Sequence, residues 1–168
     1  LYSSIPVDAA RAAIARAHAR GMRVGGHLPS GLTAADAVAL GYDEIQHGNM
    51  WLLSFLGAEV LSRSQTPSRF IDAYTRGHEI DPDGPAARDF VARLKAAGTV
   101  VDPTLVTFEN MFTGWKGEMA AATAPWASRM PATSLRGSGA GGRAKTIEER
   151  TQYRASFPRM QQLLKRLH

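Results

Sequence analysis

Two histidines of this 168-residue chain occupy positions from which they could bind one metal ion together. His27 and His47 each end a short strand-like segment, and a loop rich in glycine or proline follows each of them. They are 20 positions apart (47 minus 27), which is the length of one loop, one helix and one strand. The carboxyl ends of neighbouring parallel strands converge on one rim, so we expect the imidazoles to meet there. Neutral imidazole binds zinc and similar ions well, and the pair therefore predicts a divalent metal site.

The same two histidines also fit a purely structural role. A single histidine at a strand end is more often a hydrogen-bonded structural residue, and only the equivalence of the two positions favours the ligand interpretation. Asn49, Met50 and Trp51 directly follow His47 and are candidates to line a substrate pocket, although methionine and tryptophan in such a stretch more often pack in the core. We interpret the remaining histidines as structural or surface residues: His18, His78 and His168.

Helices and glycine stops surround both histidine segments. Apolar residues spaced three and four apart predict a helix from Pro6 to Arg20, followed by a strand at 22–27. A second helix begins near Thr33, where Thr33 and Asp36 form a capping pair, and ends at Gly41 before a strand at 42–47.

A third helix and strand repeat this order farther along the chain. The helix covers 86–97 and Gly98 terminates it, and a strand region at 99–105 follows, extended over Thr99 to Asp102 and broken at Pro103-Thr104. Three repeats of helix, glycine, short strand and loop are typical of parallel α/β structure.

The other parts of the chain have weaker patterns. Residues 49–85 are interpreted as a long insertion with a short helix around Trp51 to Leu61, and residues 108–130 as helix and loop. The glycine-rich segment 136–142 is expected to be flexible. A final helix at 146–168 opens with Thr146 and Glu149 as a capping box and is expected to kink or break at Pro158.

The amino-acid composition limits the classes of protein to which this chain can belong. The chain is 44% hydrophobic and 21% charged, as globular domains are, and it has no cysteine, so a metal must be bound by His, Asp or Glu. No membrane span or secretory signal is visible. The net charge of +5 is scattered on arginines without an aromatic stripe, which favours a solvated surface over a nucleic-acid interface. The chain starts without Met, so we expect a processed or partial protein, and its location stays open between cytoplasm and periplasm.

Three segments resemble consecutive barrel strands of the amidohydrolase superfamily, in its imidazolonepropionase-like and prolidase-like branch. They are Ala17-His18-Ala19-Arg20-Gly21-Met22-Arg23-Val24-Gly25-Gly26-His27, Ala37-Val38-Ala39-Leu40-Gly41-Tyr42-Asp43-Glu44-Ile45-Gln46-His47-Gly48, and Val100-Val101-Asp102-Pro103-Thr104-Leu105. They are similar to strands five, six and seven, and the resemblance covers about residues 1–105. It implies a partial (β/α)8 TIM barrel in which His27 and His47 are metal ligands from strands five and six.

The resemblance also implies a reaction. Amidohydrolases use one or two divalent metals, commonly zinc, to activate a water that hydrolyses C–N bonds in amides, peptides or lactams. The family also needs a His-x-His pair, often a bridging lysine or glutamate, and an aspartate general base on the last strand. The sequence contains no His-x-His, and the aspartate is expected beyond the carboxyl terminus, so we expect a fragment that is inactive alone.

One alternative from another class stays open. The chain could be a non-catalytic, basic α/β binding module in which both histidines are structural. The hydrolase interpretation predicts a small-molecule or small-peptide substrate, no nucleic acid and no membrane partner, and it leaves homo-oligomerisation open. Divalent metal binding that is lost on His27→Ala or His47→Ala would separate the two interpretations.

Overall fold

A small parallel sheet organises the chain, as seen in a computed structural model that describes residues 1–138 and 141–168. Its strands are β1 (Gly25–Gly26), β2 (Glu44–Gln46) and β3 (Val100–Asp102), in the spatial order β1-β2-β3. Both pairings are parallel, with Gly26 opposite Ile45 and Ile45 opposite Val101. The predicted α/β class with parallel strands is therefore confirmed. The strands are shorter than predicted, and β3 ends at Asp102 because Pro103 lacks the N–H needed to continue the ladder.

Helices alternate with the strands as the apolar spacing predicts. Helix α1 covers Val7–His18, α2 covers Ala34–Leu40 and α6 covers Pro85–Ala97. The capping box at α2 is confirmed, because Thr33 and Asp36 each accept a hydrogen bond from the other's backbone N–H. Gly98 closes α6 in the left-handed conformation, with φ of 65°, where a side chain would be strained.

The segment predicted as a long insertion at 49–85 is mostly helical. It consists of α3 (Gly48–Leu52), a 3-10 turn (Leu53–Phe55), α4 (Ala58–Ser62), α5 (Ser68–Arg76) and a second 3-10 turn (Gly77–Glu79). These elements are short, so each shows too few turns for a clear apolar period in the sequence. They contribute core residues and pack against the carboxyl-terminal helix, so the segment is an integral part of the fold.

Among the described residues, three helical segments lie between β3 and the last helix. Helix α7 covers Leu105–Thr113, a 3-10 helix covers Ala124–Arg129, and α8 covers Ala132–Ser138. Arg136 to Ser138, the first residues of the segment 136–142 that is expected to be flexible, form the end of α8, and Gly139 and Ala140 lie outside the described residues.

The last helix, α9, covers Ile147–Leu167 and continues through Pro158, so the expected interruption there is not found. Its capping differs slightly from the predicted box: Thr146 accepts a hydrogen bond from the Glu149 N–H, but the Glu149 carboxylate accepts from the Lys145 N–H. Neighbouring packing maintains the helix at Pro158, since Phe157 and Met160 on either side are buried.

The core lies between the sheet and the helices that follow it. Trp51 stacks on Phe90, with 6.0 Å between ring centroids, and Phe112 contacts Phe157 and Tyr74. Burying aromatic and aliphatic side chains of this size contributes roughly 1.5–3 kcal/mol each, so this continuous cluster accounts for much of the stability. Across the residues described, no helix is both long enough and apolar enough to cross a membrane.

Residues 1–3 lie along the free edge of β1. The Leu1 amine donates to the Gly25 carbonyl at 2.6 Å, and the His27 N–H donates to the Leu1 carbonyl at 3.1 Å. Gly26 permits this close approach: its φ is 132°, and a Cβ there would collide with the Leu1 backbone. The amino-terminal residues thereby hold the loop that carries His27.

Candidate functional site

His27 and His47 lie side by side at the carboxyl edge of the sheet. Each directly follows the last residue of its strand, β1 or β2. The strands therefore end one residue earlier than predicted, since the sequence placed each histidine as the last residue of its strand. Their ring centroids are 4.3 Å apart and the planes meet at 67°, edge to face. The expectation that the two imidazoles come together is therefore met in the structure.

The second histidine has a strained backbone conformation that contacts with the end of β3 hold in place. His47 has φ of 67° and Thr104 has φ of 46°, and no other non-glycine residue in 1–138 or 141–168 has a positive φ. Such conformations cost of order 1–3 kcal/mol each and persist only where the surrounding structure holds them. The His47 N–H donates to the Asp102 carbonyl at 2.8 Å, and the Gly48 N–H donates to the Pro103 carbonyl at 3.0 Å. The end of β3 thus holds the turn in which His47 lies.

The two strained residues also bind each other. The Nδ1 of His47 and the Oγ1 of Thr104 are 2.9 Å apart, joining positions 57 apart in the chain. When Nδ1 carries the hydrogen and donates to the threonine hydroxyl, Nε2 is left with its lone pair free. Metal-binding histidines are commonly oriented by such a hydrogen bond on the other ring nitrogen.

His27 is positioned by its neighbours on both sides. The Tyr2 ring lies 4.4 Å from it, between centroids, and the Tyr42 hydroxyl donates to the His27 carbonyl at 3.2 Å. Within the described part of the chain, no hydrogen bond involves the ring nitrogens of His27. The ring nitrogen that carries no hydrogen is therefore free to accept a proton or a metal.

Both imidazoles favour the neutral form. Burial lowers the pKa of His27, and the neighbouring His47, Arg69 and the Leu1 amine lower it further. Burial also lowers the pKa of His47, where the attraction of Asp102 opposes the shift and Arg69 adds to it. Because an imidazolium cannot coordinate a metal, these lowered pKa values favour coordination at neutral pH.

A small cavity of about 150 Å³ opens beside the two rings. Asn49 and Met50, proposed from the sequence as pocket residues, line it together with both histidines. Trp51 does not: it is fully buried in the core against Phe90 and is absent from the cavity wall. Residues 48–52 form a helix, so successive side chains point in different directions and only part of the run can face the cavity.

Asn49 and Arg69 give the cavity its polar character. The Asn49 Nδ2 donates to the Arg69 carbonyl at 3.3 Å, whereas its buried Oδ1 has no hydrogen-bond partner among the residues described. The Arg69 guanidinium lies 4.8 Å over the Phe70 ring, and no carboxylate in the described ranges pairs with it. The cavity wall therefore combines an asparagine whose buried amide oxygen lacks a partner with one positive charge that no described carboxylate neutralises.

Sequence reasoning missed Arg69 and Thr104. Thr104 lies two positions after the last residue of β3, one position beyond the place equivalent to the histidines, so a strand-end argument that included the next residue could have identified it. Arg69 belongs to a helix of the supposed insertion, and no local signal connected it with residues about 20 and 40 positions earlier.

The side chains near the cavity provide some, but not all, of the ligands that a metal centre needs. Within the residues that the structure describes, no group of three or more His, Asp or Glu side chains is placed to hold a metal. His27 and His47 can provide two nitrogen ligands, and a tetrahedral zinc site has three or four protein ligands. His18 is engaged elsewhere, bonded to Asp43 at 2.9 Å.

Comparisons of the chain with protein-family models, with curated proteins and with solved structures found no match.

Proposed function

We propose that His27 and His47 are two ligands of a divalent-metal centre of amidohydrolase type. In this proposal β1, β2 and β3 are three successive strands of a (β/α)8 barrel, and the two histidines follow the first two of them. The observation that carries the proposal is the 4.3 Å approach of two imidazoles from adjacent parallel strand ends. The sheet order follows the chain order, with a helix in each connection, as in a barrel. The exposed Val100 on the edge strand β3 is consistent with a further strand beside it.

The two rings fit the metal as a partial ligand set. A bound zinc ion would lower the pKa of a water ligand toward neutrality and polarise the carbonyl of an amide substrate. The ligands still required, and the general base, would come from residues that this sequence does not contain. We therefore expect weak metal binding and no turnover from the chain by itself.

The chain's own residues have separable tasks. Thr104 orients the His47 ring through Nδ1, and Tyr2 packs against the His27 ring. The Arg69 guanidinium can bind a carboxylate. A small peptide or N-acyl amino acid carries such a carboxylate close to its amide bond, and this substrate class is the one we propose.

Zinc titration monitored by NMR tests the proposal. The imidazole ¹⁵N resonances of each histidine report which nitrogen binds the metal. We expect the His27 and His47 signals to shift together in the wild-type chain. His27→Ala and His47→Ala should each abolish the shift of the remaining ring, whereas His78→Ala, which removes an exposed histidine outside the cavity, should leave both shifts unchanged.

Two results would contradict the proposal. In one, zinc leaves the His27 and His47 signals unshifted in the folded wild-type chain. In the other, His27→Ala leaves the His47 response intact, showing that the rings do not share an ion. Either result would leave the non-catalytic binding module as the better account of the fold.

A further inference from the structure

A second cavity, of about 550 Å³, has an unusual concentration of positive charge. Its wall includes four cationic side chains, one from α8 and three from the segments before and after it: Lys116, Arg136, Arg143 and Lys145. All four side chains are exposed, so they face solvent from around the opening. This cavity shares no lining residue with the histidine cavity.

The backbone around this cavity is held by contacts between distant segments. The Lys116 N–H donates to the Ala144 carbonyl at 2.8 Å, and Trp115 and Ala144 form a parallel bridge. A Cβ at Gly142 would collide with the backbone of Gly114 and Trp115, so glycine permits this close approach. The Arg150 guanidinium lies 4.8 Å over the Trp115 ring and its Nε donates to the Thr113 carbonyl at 3.1 Å. Lys116 and Arg143 are thus brought together by a fixed scaffold.

The four cations are not neutralised within the described residues. None of them takes part in an ion pair, whereas four other arginines do: Arg63, Arg76, Arg93 and Arg166. The carboxylate of Glu149 is nearby, but it accepts a hydrogen bond from the Lys145 backbone N–H and caps α9. These five side chains, four positive and one negative, carry a net charge of +3.

Tyr74 forms an uncharged wall of the cavity. Its ring packs on Tyr153, with 4.5 Å between centroids, and on Phe112. Burial is the largest cause that raises the pKa of Tyr74, so its phenol stays protonated and adds no negative charge. A concave site with one aromatic wall and several convergent cations differs from the extended basic stripe that follows a nucleic-acid backbone.

We propose that this cavity binds a small anion with two or more phosphoryl groups. A single phosphate carries less than two full negative charges at neutral pH and would leave about half of the positive charge uncompensated. A diphosphate approaches the net charge of the opening and offers enough oxygens for several cations at once. The proposal is independent of the histidine site.

Calorimetric titration of the full chain, without divalent metal, tests the proposal with pyrophosphate and inorganic phosphate as probes. We expect pyrophosphate to bind more tightly than phosphate, and binding to weaken as salt is raised. Arg143→Ala and Lys116→Ala should each weaken pyrophosphate binding about tenfold or more, because each removes one charge-assisted hydrogen bond. The matched control is Arg16→Ala, which removes an exposed arginine of α1 outside the cavity and should change affinity less than about twofold.

Equal losses in Arg143→Ala and Arg16→Ala would overturn the proposal, because the effect would then come from net charge alone. So would tighter binding of oligothymidylate than of pyrophosphate, which would indicate a nucleic-acid surface. The variant His27→Ala should retain pyrophosphate binding, so a failure here is distinguishable from a failure of the metal site. Circular dichroism of each variant checks that the fold is intact.

Discussion

Thr104 is the residue whose replacement tests the candidate metal site most precisely. Its hydroxyl is 2.9 Å from the Nδ1 of His47, and it has no other side-chain hydrogen bond in the described structure. Valine has the same branched shape and would meet the same left-handed backbone strain, so Thr104→Val removes the hydroxyl and little else. Serine keeps the hydroxyl, and Thr104→Ser is the matched control.

The expected size of the effect follows from the contact. A part-buried hydrogen bond contributes about 0.5–1.5 kcal/mol to the free energy of unfolding, so Thr104→Val should destabilise the chain by about that amount. Removing the outer partner of a metal-binding histidine typically lowers metal affinity about 10- to 100-fold, because the ring loses its fixed tautomer and orientation. Zinc affinity should therefore fall much more than stability does.

Urea unfolding measures the first quantity and the NMR zinc titration measures the second. Thr104→Ser should retain zinc affinity within a few fold of wild type. The reasoning is refuted if Thr104→Val binds zinc as tightly as wild type while His47→Ala does not bind, because the threonine would then have no part in orienting the ring.

Other perturbations have equally definite outcomes. The Asp43 carboxylate accepts from the Val24 N–H at 2.6 Å and from His18, and these bonds lower its pKa below the usual 3.8. Its stabilisation is therefore present above that value and is lost as pH falls through the folded-state pKa. Asp43→Asn should lower the free energy of unfolding at pH 7 by up to about 1 kcal/mol, because solvent screens this carboxylate, and the difference should close in acid; urea titration at both pH values measures it. Leu163→Ala removes a fully buried side chain and should cost about 2–5 kcal/mol, whereas a loss below 1 kcal/mol would show that α9 is not packed as described. Gly26→Ala should lower the melting temperature by displacing residues 1–3 from β1, and an unchanged melting temperature would count against that edge contact. Zinc-induced shifts should persist below pH 6.5, because the pKa values of both imidazoles are lowered; loss of the shifts already above that pH would contradict the burial of the pair.

Local signals predicted the elements more successfully than their lengths. The capping box at Thr33 and the left-handed Gly98 depend on contacts within a few residues, and both are present as expected. The strands are only two or three residues long, because pairing ends where β1 and β2 reach their histidines and where Pro103 follows β3. Such an end point depends on the neighbouring strand as much as on the strand itself.

Predictions that depended on packing had mixed outcomes. The helix through Pro158 continues where a break was expected, because tertiary contacts of the buried Phe157 and Met160 offset one lost hydrogen bond. The weak periodicity of residues 49–85 predicts an insertion, because their helices are short, although these residues supply much of the core. Trp51 belongs to that core and not to the cavity, as the tendency of tryptophan to pack would suggest.

The amino-acid sequence alone determined that helices alternate with parallel strands and that a histidine stands after each of the first two strands. Capping, turn and periodicity preferences arise from interactions between residues that are close in the chain. They can therefore be recognised in the sequence without knowing the fold. Only the tertiary structure decided that the two rings approach to 4.3 Å, that Thr104 holds His47, and that Arg69 borders their cavity. Those relations join residues about 20 to 60 positions apart, and they arise from packing free energy summed over the whole chain, which no local pattern records.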